Sequence, residues 1–185
     1  VLIVPGILSS YLNKNDETKT EVWPNIWTAL FGWPGDKYLD YLSLSQNGQP
    51  EPSQPIIATD IFRKIGNNDF FDGLIRDLEN DGYDEGLNLF VFPYDWRLDI
   101  RENKLPEKVS QILQQADTDK VNIIAHSMGG LLVKYYIEHQ ASGTIDKFID
   151  MATPHLGSPA ALKTLMFGDD MGIKFFFSQV KCIRI

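Results

Sequence analysis

Cysteine, histidine and long apolar runs are all scarce in this 185-residue chain, and each scarcity removes a class of protein. A lone cysteine, Cys182, can form neither an internal disulfide nor a multi-cysteine zinc site. The three histidines, His126, His139 and His155, stand apart without paired ligand spacing, so no structural metal is expected, and no motif asks for a cofactor. No apolar run reaches the about 18 residues of a spanning helix, and the start lacks the basic-then-apolar build of a signal peptide. Positive charge is also short: 17 Lys+Arg against 25 Asp+Glu leave a net charge of −8. With no basic cluster to meet phosphates, nucleic acid is not an expected partner. An initiator methionine is missing too, and the chain opens at Val1 inside an apolar run, so both ends are expected to be cut. The piece reads as soluble, with compartment and oligomeric state left open.

What is present is the material of one globular core, with 43% hydrophobic and 12% aromatic residues. Four short apolar runs, Val1–Val4, Leu89–Phe92, Val121–Ala125 and Phe148–Ala152, do not alternate with polar residues, which suits parallel strands covered on both faces. Between them, Asp69–Leu78 carries a helical apolar stripe capped by Asn68 or Asp69 and stopped at Gly82. Leu105–Ala116 repeats the stripe with Pro106 in its first turn, and Leu131–Glu138 forms a third helix. The alternation predicts an α/β fold: one domain over residues 1–185, with a mostly parallel doubly wound sheet and helices on both faces. Residues 12–57 break the pattern, being rich in Trp, Pro, Gly, Asn and Ser, and read as a lid-like or cap-like insertion after the first strand. Within it Val22–Phe31 is a candidate short amphipathic helix. Trp23, Trp27 and Trp33 read first as a satellite core packing the insertion onto the sheet; the alternative is a transient membrane-surface contact.

The most informative stretch is Ala125-His126-Ser127-Met128-Gly129-Gly130, an apolar strand breaking into a serine-centred turn and then a helix. A serine flanked at two residues on each side by very small residues can occupy a turn too tight for larger side chains, which thrusts its hydroxyl out at the strand end. Ser127 is thereby the candidate nucleophile. Attack on an ester carbonyl builds negative charge on oxygen, which backbone N–H groups at the start of the helix stabilise, Met128 first. The loop after the first strand, Pro5-Gly6-Ile7-Leu8, is expected to supply a second donor, the Ile7 N–H, because Gly6 permits a tight fold and Pro5 has no N–H.

A serine needs a base, normally a histidine oriented by a carboxylate. His139 lies at the far end of the helix, roughly 15 Å away at about 1.5 Å per residue, and reads as a solvated helix-end residue. The side chain of His126 is expected to point away from the hydroxyl. His155 emerges on the same sheet edge as Ser127 and reads as a loop histidine lining the pocket, with general base as the alternative. No carboxylate follows a later strand pattern, since Asp169 and Asp170 sit in a Gly-rich connection, so the triad acid and base are expected to be missing from this piece.

Three segments together resemble the lecithin:cholesterol acyltransferase-like family of α/β-hydrolases, which includes phospholipases and acyltransferases: Val4-Pro5-Gly6-Ile7-Leu8-Ser9-Ser10, Pro93-Tyr94-Asp95-Trp96-Arg97 and Ala125-His126-Ser127-Met128-Gly129-Gly130-Leu131. The Pro-Tyr-Asp-Trp-Arg box is the most discriminating of them. The resemblance implies an α/β-hydrolase fold, Ser127 as nucleophile, Met128 and Ile7 as oxyanion donors, and Asp95, Trp96 and Arg97 beside the pocket. For Asp95 and Arg97 the first reading is a mutually satisfied charge pair anchoring the loop. Family members place their catalytic Asp and His well downstream of the elbow, and those acting at lipoprotein surfaces brace a lid with a disulfide that one cysteine cannot make. Thr153-Pro154-His155 is also similar to the glycosylphosphatidylinositol inositol-deacylase type of hydrolase. The leading expectation is thus a serine hydrolase or acyltransferase acting on lipid esters. A non-catalytic fold relative that binds lipid or protein, and an esterase or thioesterase of non-lipid substrates, are the rivals.

Overall fold

The computed structural model describes residues 1–24, 37–52, 55–140 and 143–167. In chain order the elements are β1 (Leu2–Val4), β2 (Ser10–Lys14), β3 (Glu21–Trp23), a 3-10 segment (Lys37–Leu42), β4 (Ile56–Ile61), β5 (Lys64–Ile65), β6 (Asn68–Asp69), α1 (Asp72–Asn80), β7 (Phe90–Val91), a 3-10 turn (Ile100–Glu102), α2 (Leu105–Gln115), β8 (Val121–His126), α3 (Met128–His139), β9 (Ile145–Met151) and α4 (Pro159–Phe167).

Four strands form a parallel sheet in the order β7-β1-β8-β9. The chain runs from β1 outward to β7, then returns across β1 to β8 and β9. Right-handed crossovers in opposite directions land on opposite faces, which is why α1 covers one face while α2 and α3 cover the other. On the first face Ile3 and Leu89 pack with Phe71 and Ile75. On the second, Leu2, Val4, Ile123 and Ala125 meet Leu105, Val109 and Ile112 of α2 and Leu132, Val133 and Tyr136 of α3. Leu2, Ile3 and Val4 are consequently all fully buried, which explains an apolar run without alternation. Each such side chain contributes about 1.5–3 kcal/mol of burial. The reversal of winding falls between β1 and β8, and in open α/β sheets the crevice at the carboxyl ends of the strands flanking that reversal is where ligands bind.

The segment after β1 holds ordered structure that its composition did not suggest. An antiparallel sheet in the order β3-β2-β4 occupies it, reaching outside residues 12–57 at both ends. Val22 and Trp23 belong to β3 rather than to a helix, and residues 25–31 of that proposed helix, with Trp27 and Trp33, lie outside the described residues. Other boundaries shift too: β7 is shorter than the expected Leu89–Phe92, and β9 begins at Ile145, ahead of the expected Phe148. Asn68 and Asp69 pair with Lys64 and Ile65, so α1 begins at Asp72, although the Asp69 carboxylate still accepts from the Gly73 N–H at 3.1 Å, as a capping side chain does. The third helix begins at Met128, directly after the serine, and not at Leu131. No helix among the described residues is long and apolar enough to cross a membrane.

Candidate active site

Ser127 ends β8 and occupies the N-cap position of α3 with φ 55° and ψ −125°. Serine at an N-cap ordinarily turns its hydroxyl onto the helix backbone, but here it makes no capping bond, because the left-handed backbone swings the side chain off the helix end. Such a conformation costs a residue bearing a Cβ on the order of 1 kcal/mol or more and persists only where neighbours enforce it. Three contacts do so: the Ser127 N–H donates to the Met151 carbonyl at 2.9 Å, its carbonyl accepts from Gly130 N–H at 3.0 Å, and the Thr153 hydroxyl donates to the same carbonyl at 3.0 Å.

The small residues around it are required by close approach. A methyl group on Gly129 would sit 2.3 Å from the Pro5 carbonyl oxygen, one on Gly130 1.8 Å from Thr153 Oγ1, and one on Gly6 2.9 Å from Ser127 Cβ. The turn after β1 and the turn after β8 are therefore pressed together, with Gly6 against the serine; the same added methyl would lie 3.2 Å from His126 Nδ1. Met128 opens α3, and its N–H has no intrahelical acceptor, as for any residue in a first turn.

Every carbonyl from Pro5 to Ser10 accepts a hydrogen bond. Tyr94 Oη donates to Pro5 O at 3.0 Å, Ser9 N to Gly6 O at 3.4 Å, Ser9 Oγ to Ile7 O at 3.2 Å, Trp23 Nε1 to Leu8 O at 2.9 Å, Phe62 N to Ser9 O at 2.8 Å and Trp96 Nε1 to Ser10 O at 3.4 Å. The loop's oxygens are thus anchored, while the Ile7 N–H donates to nothing among the described residues. Burial pushes the Tyr94 hydroxyl up from its ordinary pKa, keeping it a neutral donor.

Asp95 and Arg97 form a two-point ion pair, Nε–Oδ1 2.8 Å and Nη2–Oδ2 2.6 Å, with only 12% and 5% of their side chains exposed. Arg97 Nη1 also donates to the Tyr41 carbonyl at 3.1 Å, tying the box to the 3-10 segment. His155 Nε2 bonds to Asp150 Oδ2, a carboxylate within β9 itself rather than after a later strand. Burial raises the Asp150 carboxyl, but the Thr153 hydroxyl beside it and the bond and charge of His155 outweigh that and hold the group below its usual range. His126 lies edge-on to Phe71, and His139 stacks on Tyr135 at the far end of α3.

Of the side chains that hold the loop and the elbow, Tyr94 and Trp96 lie in the Pro-Tyr-Asp-Trp-Arg box, but their bonds to Pro5 O and Ser10 O are not readable from it. Ser10 and Thr153 act on partners 84 and 26 residues away, and no local pattern announces a bond of that span.

A parallel sheet whose winding reverses beside a strand–serine–helix elbow defines an α/β-hydrolase-fold protein. Residues 52–184 match the lecithin:cholesterol acyltransferase family model, and the chain belongs to that family. It is 28% identical to lecithin-cholesterol acyltransferase-like 4 of Arabidopsis thaliana, over 91% of this chain and 36% of that protein. It is 30% identical to phospholipase A(1) LCAT3 of the same plant, over 88% and 42%, and 31% identical to phosphatidylcholine-sterol acyltransferase of Gallus gallus, over 54% and 26%. The chain thus spans well under half the length of these relatives. No solved structure matches it.

Proposed function

We propose that this chain carries the nucleophile and oxyanion site of a serine enzyme that cleaves or transfers the acyl group of lipid carboxylic esters. The observation that carries the reading is Ser127: a left-handed N-cap serine whose hydroxyl leaves its own helix uncapped, pressed against a loop whose carbonyls are all engaged. Strain held at such a position is a recurrent mark of function. In the proposed reaction Ser127 Oγ loses its proton to a general base and bonds to the substrate carbonyl carbon. The carbonyl oxygen takes the electron pair as an oxyanion between the Met128 and Ile7 N–H groups. Collapse expels the alcohol, which takes up the proton, and leaves an acyl-enzyme on Ser127; water or an acceptor alcohol then takes the acyl group by the same steps.

The family pattern sets the acid and base downstream of the elbow, and the reading takes its base from there. The engagement of His155 Nε2 by Asp150 supports a role for that pair in anchoring the loop after β9 rather than in drawing the serine's proton. The names of the relatives, phospholipase and acyltransferase, support lipid esters as substrates. Hydrolysis of phospholipid vesicles by the full-length protein, with and without a soluble long-chain alcohol, tests this. Free fatty acid in the first case and new ester in the second are expected, both abolished by Ser127→Ala; undiminished turnover in Ser127→Ala overturns the assignment.

A further inference from the structure

Trp23 sits on β3, in the segment between β1 and α1, yet its indole N–H reaches the Leu8 carbonyl at 2.9 Å, one residue beyond the proposed donor Ile7. Leu8 has φ 63°, so the turn that presents Ile7 contains a branched side chain in the left-handed region, which needs outside support. The other oxygens of the loop are held by the core side of the molecule or by the loop itself: Tyr94 and Trp96 from the box after β7, Phe62 after β4, and Ser9. Among the described residues, Leu8 O has only Trp23. The indole is itself fixed edge-to-face on Trp96, ring centres 5.6 Å apart at 69°, and Trp96 is buried. A rigid donor on a rigid platform thus orients the Leu8–Ser9 peptide, whose N–H closes the turn by a long 3.4 Å bond onto the Gly6 carbonyl of the peptide that carries the Ile7 N–H.

We propose that Trp23 is a positioning residue for the oxyanion loop: by holding the Leu8 carbonyl it keeps the left-handed turn closed and the Ile7 N–H aimed at the reacting carbonyl. The inference rests on the assignment of Ser127 and Ile7 above. It gives the β3 strand a catalytic consequence without contact to substrate, and it places this tryptophan's edge in the protein rather than in a lipid surface.

The test uses the full-length protein and a soluble short-chain aryl ester, with a trifluoromethyl ketone as the probe of the oxyanion site, since its adduct with the serine carries the negative oxygen. Trp23→Phe keeps an aromatic face on Trp96 and removes the N–H. The expected result is a roughly tenfold fall in kcat with KM within about twofold, and a matching roughly tenfold rise in the ketone's inhibition constant. That is smaller than the roughly hundredfold or greater loss that follows deletion of an oxyanion donor itself. A merely structural role would lower the amount of active enzyme and leave the inhibition constant unmoved. Should Trp23→Phe fold poorly, 3-benzothienylalanine at position 23, which exchanges the N–H for sulfur at nearly unchanged shape, is read for the same two ratios. An unchanged inhibition constant, or a loss seen with vesicles and not with the soluble ester, overturns the proposal and in the second case assigns Trp23 to the lipid surface. Turnover persisting in Ser127→Ala would instead remove the reading beneath it.

Discussion

Glycines decide whether the two turns of the site can meet. At Gly129 a methyl group would enter the space of the Pro5 and Val4 carbonyl oxygens, at 2.3 and 2.7 Å, and both belong to a central strand and its turn that cannot retreat. Gly129→Ala is therefore expected to cost about 1–3 kcal/mol of stability, the range for overpacked sites, read as a lower urea midpoint at unchanged slope. Gly6→Ala places its methyl 2.9 Å from Ser127 Cβ and 3.2 Å from His126 Nδ1, both side-chain atoms, with the nearest backbone atom, His126 O, at 3.4 Å, so less of the fold has to move. The expected outcome there is the reverse weighting: a small change in midpoint, with loss of ester hydrolysis, because the serine and the loop are displaced from each other. Equal effects of both variants on midpoint and on turnover would contradict this division.

The elements show why some of the architecture is legible in sequence and some is not. β1 is a contiguous apolar run and β8 a run interrupted only by Asn122 before it ends at His126, because helices cover both faces of the sheet there, and runs of that kind are visible without any alignment. β2, with the sequence Ser-Tyr-Leu-Asn-Lys, alternates only partly, and β3, its partner on one side, spans Glu-Val-Trp; the pairing of β2 with β4 on the other side, some fifty residues on, comes from long-range hydrogen bonds and not from local pattern. Ser127 was readable because strand, small residues and helix adjoin it in the chain. Thr153 on its carbonyl and Trp23 on Leu8 are tertiary contacts without local signature. The box after β7 behaves as an element of its own. With Arg97 and Asp95 almost wholly buried, Arg97→Leu leaves an unpaired carboxylate and an unbonded Tyr41 carbonyl, and about 3–5 kcal/mol of destabilisation is expected. The double variant Asp95→Leu/Arg97→Leu removes both charges and is expected to lose less than Arg97→Leu alone; thermal unfolding of the three proteins checks the order.

Across the whole molecule, acidic residues outnumber basic ones, and several carboxylates are held below their ordinary pKa by the fold. Hydrogen bonding from Arg63 does this for Glu85, from Lys64 for Asp72, and from Arg101 for Asp99, whose pKa lies at about 2. Thr153 and His155 do it for Asp150 against the opposing effect of burial. A carboxylate depressed in the folded state adds stability above its unfolded pKa of about 4, and that stability is lost as pH falls through the folded value. The Thr18 hydroxyl does it for Asp16. Burial raises Glu21 and works in the opposite direction, but among the described residues it is outnumbered by these five. The urea midpoint is expected to fall steadily from about pH 5 toward pH 2; a midpoint that rises on acidification would contradict it.

Ester cleavage at this site requires one oxygen atom, Oγ of the half-buried Ser127, to be reachable and reactive. Treating the full-length protein with a fluorophosphonate and locating the added mass by peptide sequencing tests that directly. A single phosphonyl group on the peptide containing His126-Ser127-Met128, absent in Ser127→Ala, is the predicted result. Modification at another serine, or none in a preparation that turns over ester, would contradict the account.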